Sequence, residues 1–215
     1  MSPTLVTRRM ALGAVLALST VSSTLFAQAE IARPRPERIP SLPCCKCLGE
    51  SSTLNLSTGK TNWTASQPGN PTQGPTANAA NVAWTTSVIT TAQWISPVGN
   101  PTATGDYTYQ TRFNSGNCTI PSMIVVSGKF LADNRATLLV DGVTVATSVG
   151  TPNYGFLPGS LTTFTYTIPA NLAAGAHNIT LVANNQSGPT GVIADVQVTR
   201  KCTDRVEMEG RAQAD

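Results

Sequence analysis

The sequence predicts an all-β protein whose main body is a single antiparallel β-sandwich of about eight strands over residues 48 to 200. Three observations carry that expectation. The stretch TTFTYTIP, residues 162 to 169, sets Thr162, Phe164, Tyr166 and Ile168 on one face and Thr163, Thr165 and Thr167 on the other, the period-two pattern of a half-buried strand. Composition points the same way, because the region is rich in Thr, Val, Asn and Gly, and only 12% of the whole chain is charged against about 25% in ordinary globular domains. Turn chemistry is the third: Asp141-Gly142 stands between two β-rich runs, where a type I′ hairpin turn needs positive φ at both central residues. No stretch carries a helical period.

Taken in order, residues 1 to 29 read as an export signal. Arg8 and Arg9 precede an apolar run that begins at Met10, and small residues Ala27 and Ala29 flank Gln28. The mature chain is expected to start at Glu30 and to leave the cytoplasm for the periplasm, the cell surface or the medium. The arginine pair is similar to a twin-arginine signal, although Met10, Ala11 and Leu12 depart from its usual continuation, which leaves the general secretory route equally open. Loss of residues 1 to 29 removes two arginines and no acid, so the formal charge falls from +3 to +1. A near-neutral balance argues against nucleic-acid binding, which rests on clustered Lys and Arg. No later run is long and apolar enough for a membrane-spanning helix.

Residues 30 to 47 form a Pro/Arg-rich arm, in which RPRPER, residues 33 to 38, reads as an extended, solvated linker. The arm ends in PCCKC, with Cys44, Cys45 and Cys47; Cys118 and Cys202 complete the set of five. An oxidising compartment makes disulfides the default, so two bridges and one spare thiol are expected. Cys47 to Cys202 is the first expected pair, because the two flank opposite ends of the domain. The spacing does not suit zinc, which wants two spaced pairs of Cys or His, and the only histidine, His177, lies far along the chain. Cys44 also stands well beyond the apolar run, not directly after it as a lipidated cysteine would.

Within the domain, DYTYQTRF, PSMIVVSGKF, the hairpin ATLLVDGVTVATS, TTFTYTIP, HNITLVAN and GVIADVQVT supply strands, with LNLSTG and VAWTTS as additions. Residues 66 to 81, SQPGNPTQGPTANAAN, read as a long loop of Pro, Gly, Asn and Gln. Residues 201 to 215 lose the alternation and read as a charged tail.

The stretches GDYTYQTRF, IVVSGKFLADNRATLLVDGVTVA and LAAGAHNITLVANNQSGPTGVIADVQV together resemble the galactose-binding-like β-sandwich, or jelly-roll, domains of secreted bacterial proteins, over roughly residues 50 to 199. The resemblance implies a jelly roll that binds carbohydrate through loops at one end or along a concave face. It also implies that a structural calcium is possible. Asp133, Asn134, Asn184 and Asn185 are the oxygens available for one, though turn formation accounts for them as well.

Little in the sequence demands catalysis. A Ser-His-Asp constellation would have to use His177, which by parity shares a face with Ile179 and Leu181 and reads as a strand-end histidine with a local hydrogen bond. The domain's acids weighed for a carboxylate pair are Glu50, Asp106, Asp133, Asp141 and Asp195, of which Asp106, Asp133 and Asp141 sit at turns; a hydrolase pairing Asp195 with His177 is the third reading. Sugar binding fits the aromatic residues better, since pyranose faces stack on flat rings while amides take the hydroxyls. Trp63, Trp84 and Tyr154 are the candidate ligand-binding residues; Trp94, Phe113, Phe130 and Phe164 are assigned to the core. The five Asn-x-Ser/Thr sequons, at Asn55, Asn62, Asn117, Asn178 and Asn185, reflect the abundance of Asn and Thr behind a bacterial-looking signal.

The leading expectation is therefore an exported, non-catalytic, lectin-like surface or matrix protein whose partner is a polysaccharide or envelope glycan. The alternative is a structural subunit of a matrix, coat or fibre, self-associating through its arm and odd cysteine or by adding a strand to a sheet edge.

Overall fold

A computed structural model describes residues 39–46, 48–61, 63–79, 81–84, 86, 88–118, 122–149 and 155–202. Among these, eleven strands alternate with turns: β1 Ser51–Asn55, β2 Thr64–Gln67, β3 Asn70–Asn78, β4 Ile95–Pro97, β5 Gly105–Asn114, β6 Ser122–Asp133, β7 Arg135–Val140, β8 Val143–Thr147, β9 Thr162–Ile168, β10 Ala176–Asn185 and β11 Gly191–Cys202. Helical structure is confined to 3-10 turns at Pro158–Ser160 and Ala170–Leu172. All strand pairs are antiparallel, in the order β8-β7-β10-β5-β2-β3-β4-β11-β6-β9, with β1 on β11.

The array turns back on itself at β3, whose first half pairs with β2 and whose second half pairs with β4. β3 is thus split between two partner strands, and Pro71 and Pro75, which have no N–H to give a ladder, stand in its first half. This corrects the expected loop at 66 to 81: most of it is a hairpin, turning at Gly69 with φ +74°. Val82, Ala83, Trp84 and Thr86 of VAWTTS, expected to be a strand, lie outside every strand, and the described residues hold eleven strands instead of about eight.

Alternation places the core as expected. Tyr107, Tyr109 and Phe113 of β5, Leu138 and Val140 of β7, and Ile179 and Leu181 of β10 face Ile124, Val126 and Phe130 of β6 and Val192, Val196 and Val198 of β11, all fully buried in one cluster. Each such side chain contributes about 1.5–3 kcal/mol of hydrophobic stabilisation. Phe164 and Ile168 of β9 join them, while Thr163, Thr165 and Thr167 are exposed, matching the two faces read from the sequence. The β7–β8 turn is at Asp141 and Gly142, with φ of +49° and +82°, the positive values the hairpin required. Gly128 in β6 has no room for a side chain, because a Cβ there would stand 1.9 Å from the Asp195 carbonyl oxygen of β11.

A second, smaller cluster lies on the opposite face of β6 and β11. There Leu131 and Ile193 are covered by the segment between β3 and β4 through Trp84, Ile89, Ala92 and Trp94. At the other end of the domain the arm, residues 39 to 46, is part of the fold and not a free linker: Leu42 is 3% exposed within the main core, and its backbone N–H donates to Asn114 O at 2.9 Å. RPRPER lies outside the described residues.

Two disulfides fix the arm. Cys44 pairs with Cys118 and Cys45 with Cys202, at Cα separations of 5.5 and 6.3 Å. The expected Cys47–Cys202 pair is thereby corrected. The Gly49 N–H donates to Cys202 O and the Cys202 N–H to Glu50 O, which carries the chain antiparallel to the end of β11 and brings Cys45 onto Cys202. Cys47 lies outside the described residues. Lys201 and Cys202 are the last two residues of β11.

Candidate functional site

Two of the three expected ligand-binding aromatics are interior. Trp63 is 3% exposed, in the main core, and its indole N–H donates to Leu56 O at 2.9 Å. Trp84 is 7% exposed; its ring stacks on Trp94 at 4.6 Å between centroids, and a Cβ on Gly191 would stand 2.6 Å from it. Both rings are packed inward, Trp63 beside β2 in the main core and Trp84 in the segment between β3 and β4 that covers the second cluster. Trp84 instead supports the neighbouring turn: its Nε1–H donates to Asp133 Oδ2 at 2.8 Å. Burial raises the Asp133 carboxyl above its ordinary range, partly opposed by that hydrogen bond. Tyr154 lies outside the described residues.

The oxygens weighed for calcium serve the same end of the molecule. Asn134 Oδ1 accepts from the Gln186 N–H at 2.8 Å, and the Asn184 amide donates to Asp106 Oδ1 at 2.7 Å. The Thr190 hydroxyl donates to Asp133 O, tying the turn to the start of β11. Among the described residues, no three His, Cys, Asp or Glu side chains converge as a metal site.

Beside this turn, where the end of β3 meets β4, an open cleft of about 270 Å³ is lined by Asn78, Ser96, Asn100, Ala77, Ala79, Pro97 and Gly99. Its polar groups are two exposed amides and one buried hydroxyl; the Ser96 hydroxyl donates to Asn100 Oδ1 at 3.3 Å. The turn that presents Asn100 is built by Gly99 at φ +91° and Asn100 at φ +46°, conformations suited to Gly and Asn. No titratable side chain lines the cleft. The sequence offered one signal for it, an abundance of Asn near Gly and Pro, but not the register that brings Asn78 and Asn100 together.

His177 shows a third arrangement. Its Nδ1 lies 2.8 Å from Asp141 Oδ2, and its Nε2 lies 3.1 Å from Ser115 Oγ, so the distances are those of a Ser-His-Asp triad. The expected partner Asp195 is elsewhere, accepting from the Ser57 hydroxyl at 2.7 Å on the outer face of β11. The Ser115 hydroxyl also has two carbonyl acceptors, Ala173 O at 2.7 Å and Gly175 O at 3.1 Å, which compete with His177 Nε2 for its single proton. Ser115 is fully buried and His177 is 2% exposed, stacked on Phe113. Asp141 Oδ1 also accepts from the Asn178 N–H, and the network fastens the β7–β8 turn to β10 and to the β5–β6 connection.

Next to Ser115 stands a residue that the sequence reading passed over. Arg200 occupies an inward position of β11, in phase with Val196 and Val198, and is 1% exposed. Its Nη1–H donates to Cys44 Sγ at 3.4 Å and its Nη2–H to Ser115 O, while Nε has no partner. Burial lowers its affinity for its proton. The signal was present in the alternation, which put a cation on the core face.

No family model and no curated protein matches the chain. Several solved structures are similar to it at low identity. One is an FMN-binding beta-glucuronidase from Facaelibacterium prausnitzii L2-6, at 15% identity and a TM-score of 0.40, over 70% of this chain and 22% of that one. Others are a family 35 carbohydrate binding module from Clostridium thermocellum, at 12% identity and a TM-score of 0.36 over 68% and 97% of the two chains, and a CBM35 from Paenibacillus barcinonensis, at 14% and 0.31 over 66% and 96%. The chain thus spans about a fifth of the glucuronidase and nearly all of each binding module. At these identities and TM-scores the likeness carries no weight in assigning a function.

Proposed function

We propose that this chain is an exported, non-catalytic carbohydrate-binding protein of jelly-roll type, and that the Asn78–Ser96–Asn100 cleft is where it holds its glycan. The observation that supports this most directly is the character of the cleft: amides and a hydroxyl that both donate and accept, methyl and pyrrolidine surfaces between them, and no charge. Such a set suits a neutral polyhydroxylated ligand. Its volume, near the lower end of the roughly 300–1,000 Å³ of small-molecule sites, suits one sugar unit of a longer chain. Tyr154, one residue before Gly155, remains the aromatic candidate. The reading of residues 1 to 29 as an export signal and the two disulfides support an oxidising, extracytoplasmic destination. The buried Ser115 hydroxyl supports a non-catalytic role.

The intramolecular use of Cys44 and Cys45 weakens the rival reading, in which one of the adjacent pair joins a second chain. The test is retention of residues 30 to 215, with disulfides intact, on a panel of insoluble polysaccharides and envelope glycans. Retention eluted by soluble sugar and lost in Asn78→Ala and Asn100→Ala is expected. Failure to bind any member of the panel overturns the function, and binding untouched by both substitutions overturns the site.

A further inference from the structure

The two disulfides are not equivalent, and the difference is chemical. Each bridge has one half-buried cysteine, Cys118 and Cys45, but the other cysteine is exposed at Cys44 and buried at Cys202, which is 1% exposed, so a thiol in solution reaches Cys44–Cys118 more readily than Cys45–Cys202. Among the described residues, only the Cys44–Cys118 bridge has a cation hydrogen-bonded to it: the Arg200 guanidinium lies 3.4 Å from Cys44 Sγ. That guanidinium is buried, its two hydrogen-bond partners are neutral in the oxidised protein, and no carboxylate stands among them. A buried cation without an anion is costly, and a thiolate at Cys44 would supply one.

We propose that Cys44–Cys118 is a thiol-exchange site, at which a thiolate of an incoming dithiol attacks Cys118 Sγ and Cys44 leaves as a thiolate held by Arg200. The new bond is a mixed disulfide between the dithiol and Cys118, and the electron pair of the broken S–S bond goes to Cys44 Sγ. The second thiol of the dithiol, deprotonated, then attacks its own sulfur in the mixed disulfide and releases Cys118 as a thiolate that takes up a proton. The protein bridge gains two electrons, and the dithiol is oxidised to a disulfide. Exchange proceeds fastest when the leaving thiolate is stabilised, and a neighbouring Arg does that for one sulfur of one bridge. Cys45–Cys202 keeps the arm covalently attached throughout, so opening the outer bridge frees Cys44 and the docked Leu42 without releasing the chain end.

The experiment is timed reduction of the folded mature chain carrying Cys47→Ser, with limiting dithiothreitol, quenching by iodoacetamide and peptide mapping. Labelling of Cys44 and Cys118 about tenfold faster than Cys45 and Cys202 is expected. Arg200→Met should slow opening of the outer bridge by about tenfold, with intact mass showing both bridges formed. The wild-type mapping decides even where that variant does not fold: opening of both bridges together, or of Cys45–Cys202 first, overturns the proposal. Unchanged opening kinetics in a folded Arg200→Met protein overturns the part played by Arg200.

Discussion

Replacing Trp84 with Phe separates a structural tryptophan from a sugar platform. The phenyl ring keeps the stack on Trp94 but loses the indole N–H that donates to Asp133 Oδ2 at 2.8 Å. Asp133 is 6% exposed, so its carboxylate loses a partner that water does not readily replace. A hydrogen bond to a charged group contributes about 1.5–3 kcal/mol, and the smaller ring under-fills the second cluster at a further cost of roughly 1 kcal/mol. The expected loss is about 2–4 kcal/mol, or a fall in Tm of roughly 5–15 °C for a domain of this size. Urea denaturation of Trp84→Phe, Asp133→Ala and the double variant gives the coupling directly, and about 1.5–3 kcal/mol is expected. Glycan retention by folded Trp84→Phe should equal that of the parent. Strictly additive losses would show that the contact contributes nothing, and a folded variant that no longer binds glycan would return Trp84 to the binding surface.

The Asp133 carboxyl is raised by burial, so the native chain takes up that proton at higher pH than the unfolded chain does. Its contribution therefore becomes less favourable as pH climbs from the ordinary aspartate range through the raised folded value, and then levels off. Asp133→Asn, which still offers Trp84 an oxygen, should accordingly be more stable than wild type at about pH 7 and lose that advantage near pH 3, as read by urea midpoints. Removing the inner bridge with Cys45→Ser and Cys202→Ser while Cys44–Cys118 stays frees a loop of roughly 85 residues in the unfolded chain. The expected destabilisation is about 4–5 kcal/mol by guanidinium denaturation, and a shift below 1 kcal/mol would mean that this bridge closes no entropic loop.

Much of the fold was legible because burial on one face writes itself into alternation. TTFTYTIP, HNITLVAN and GVIADVQVT are strands as read, down to the faces of Phe164 and Ile179. The β2–β3 hairpin was not legible, since β3, split between two partner strands, is rich in Pro, Gly and Asn, the vocabulary of loops. The site suffered most from what local pattern omits. Trp63 and Trp84 stand beside polar, loop-like residues yet fold inward, because their indole nitrogens find Leu56 O and Asp133 across intervals the sequence does not display. His177 was placed correctly on its face, but its carboxylate is Asp141 and not Asp195, a choice made by the β7–β10 register. Arg200 was within reach of the same alternation, but it lies one residue beyond GVIADVQVT, the stretch read as that strand.

The bridge between Cys45 and Cys202 joins the two ends of the folded domain, 157 residues apart in sequence. A pull transmitted through segments before residue 45 and after residue 202 therefore runs from backbone to sulfur to sulfur to backbone, and the sheet between them carries none of the load. Anchored at both ends, the oxidised domain behaves as a closed link of fixed length, able to bear tension without paying out chain, and only reduction of that inner bridge would put the hydrogen-bonded strands in series with the force.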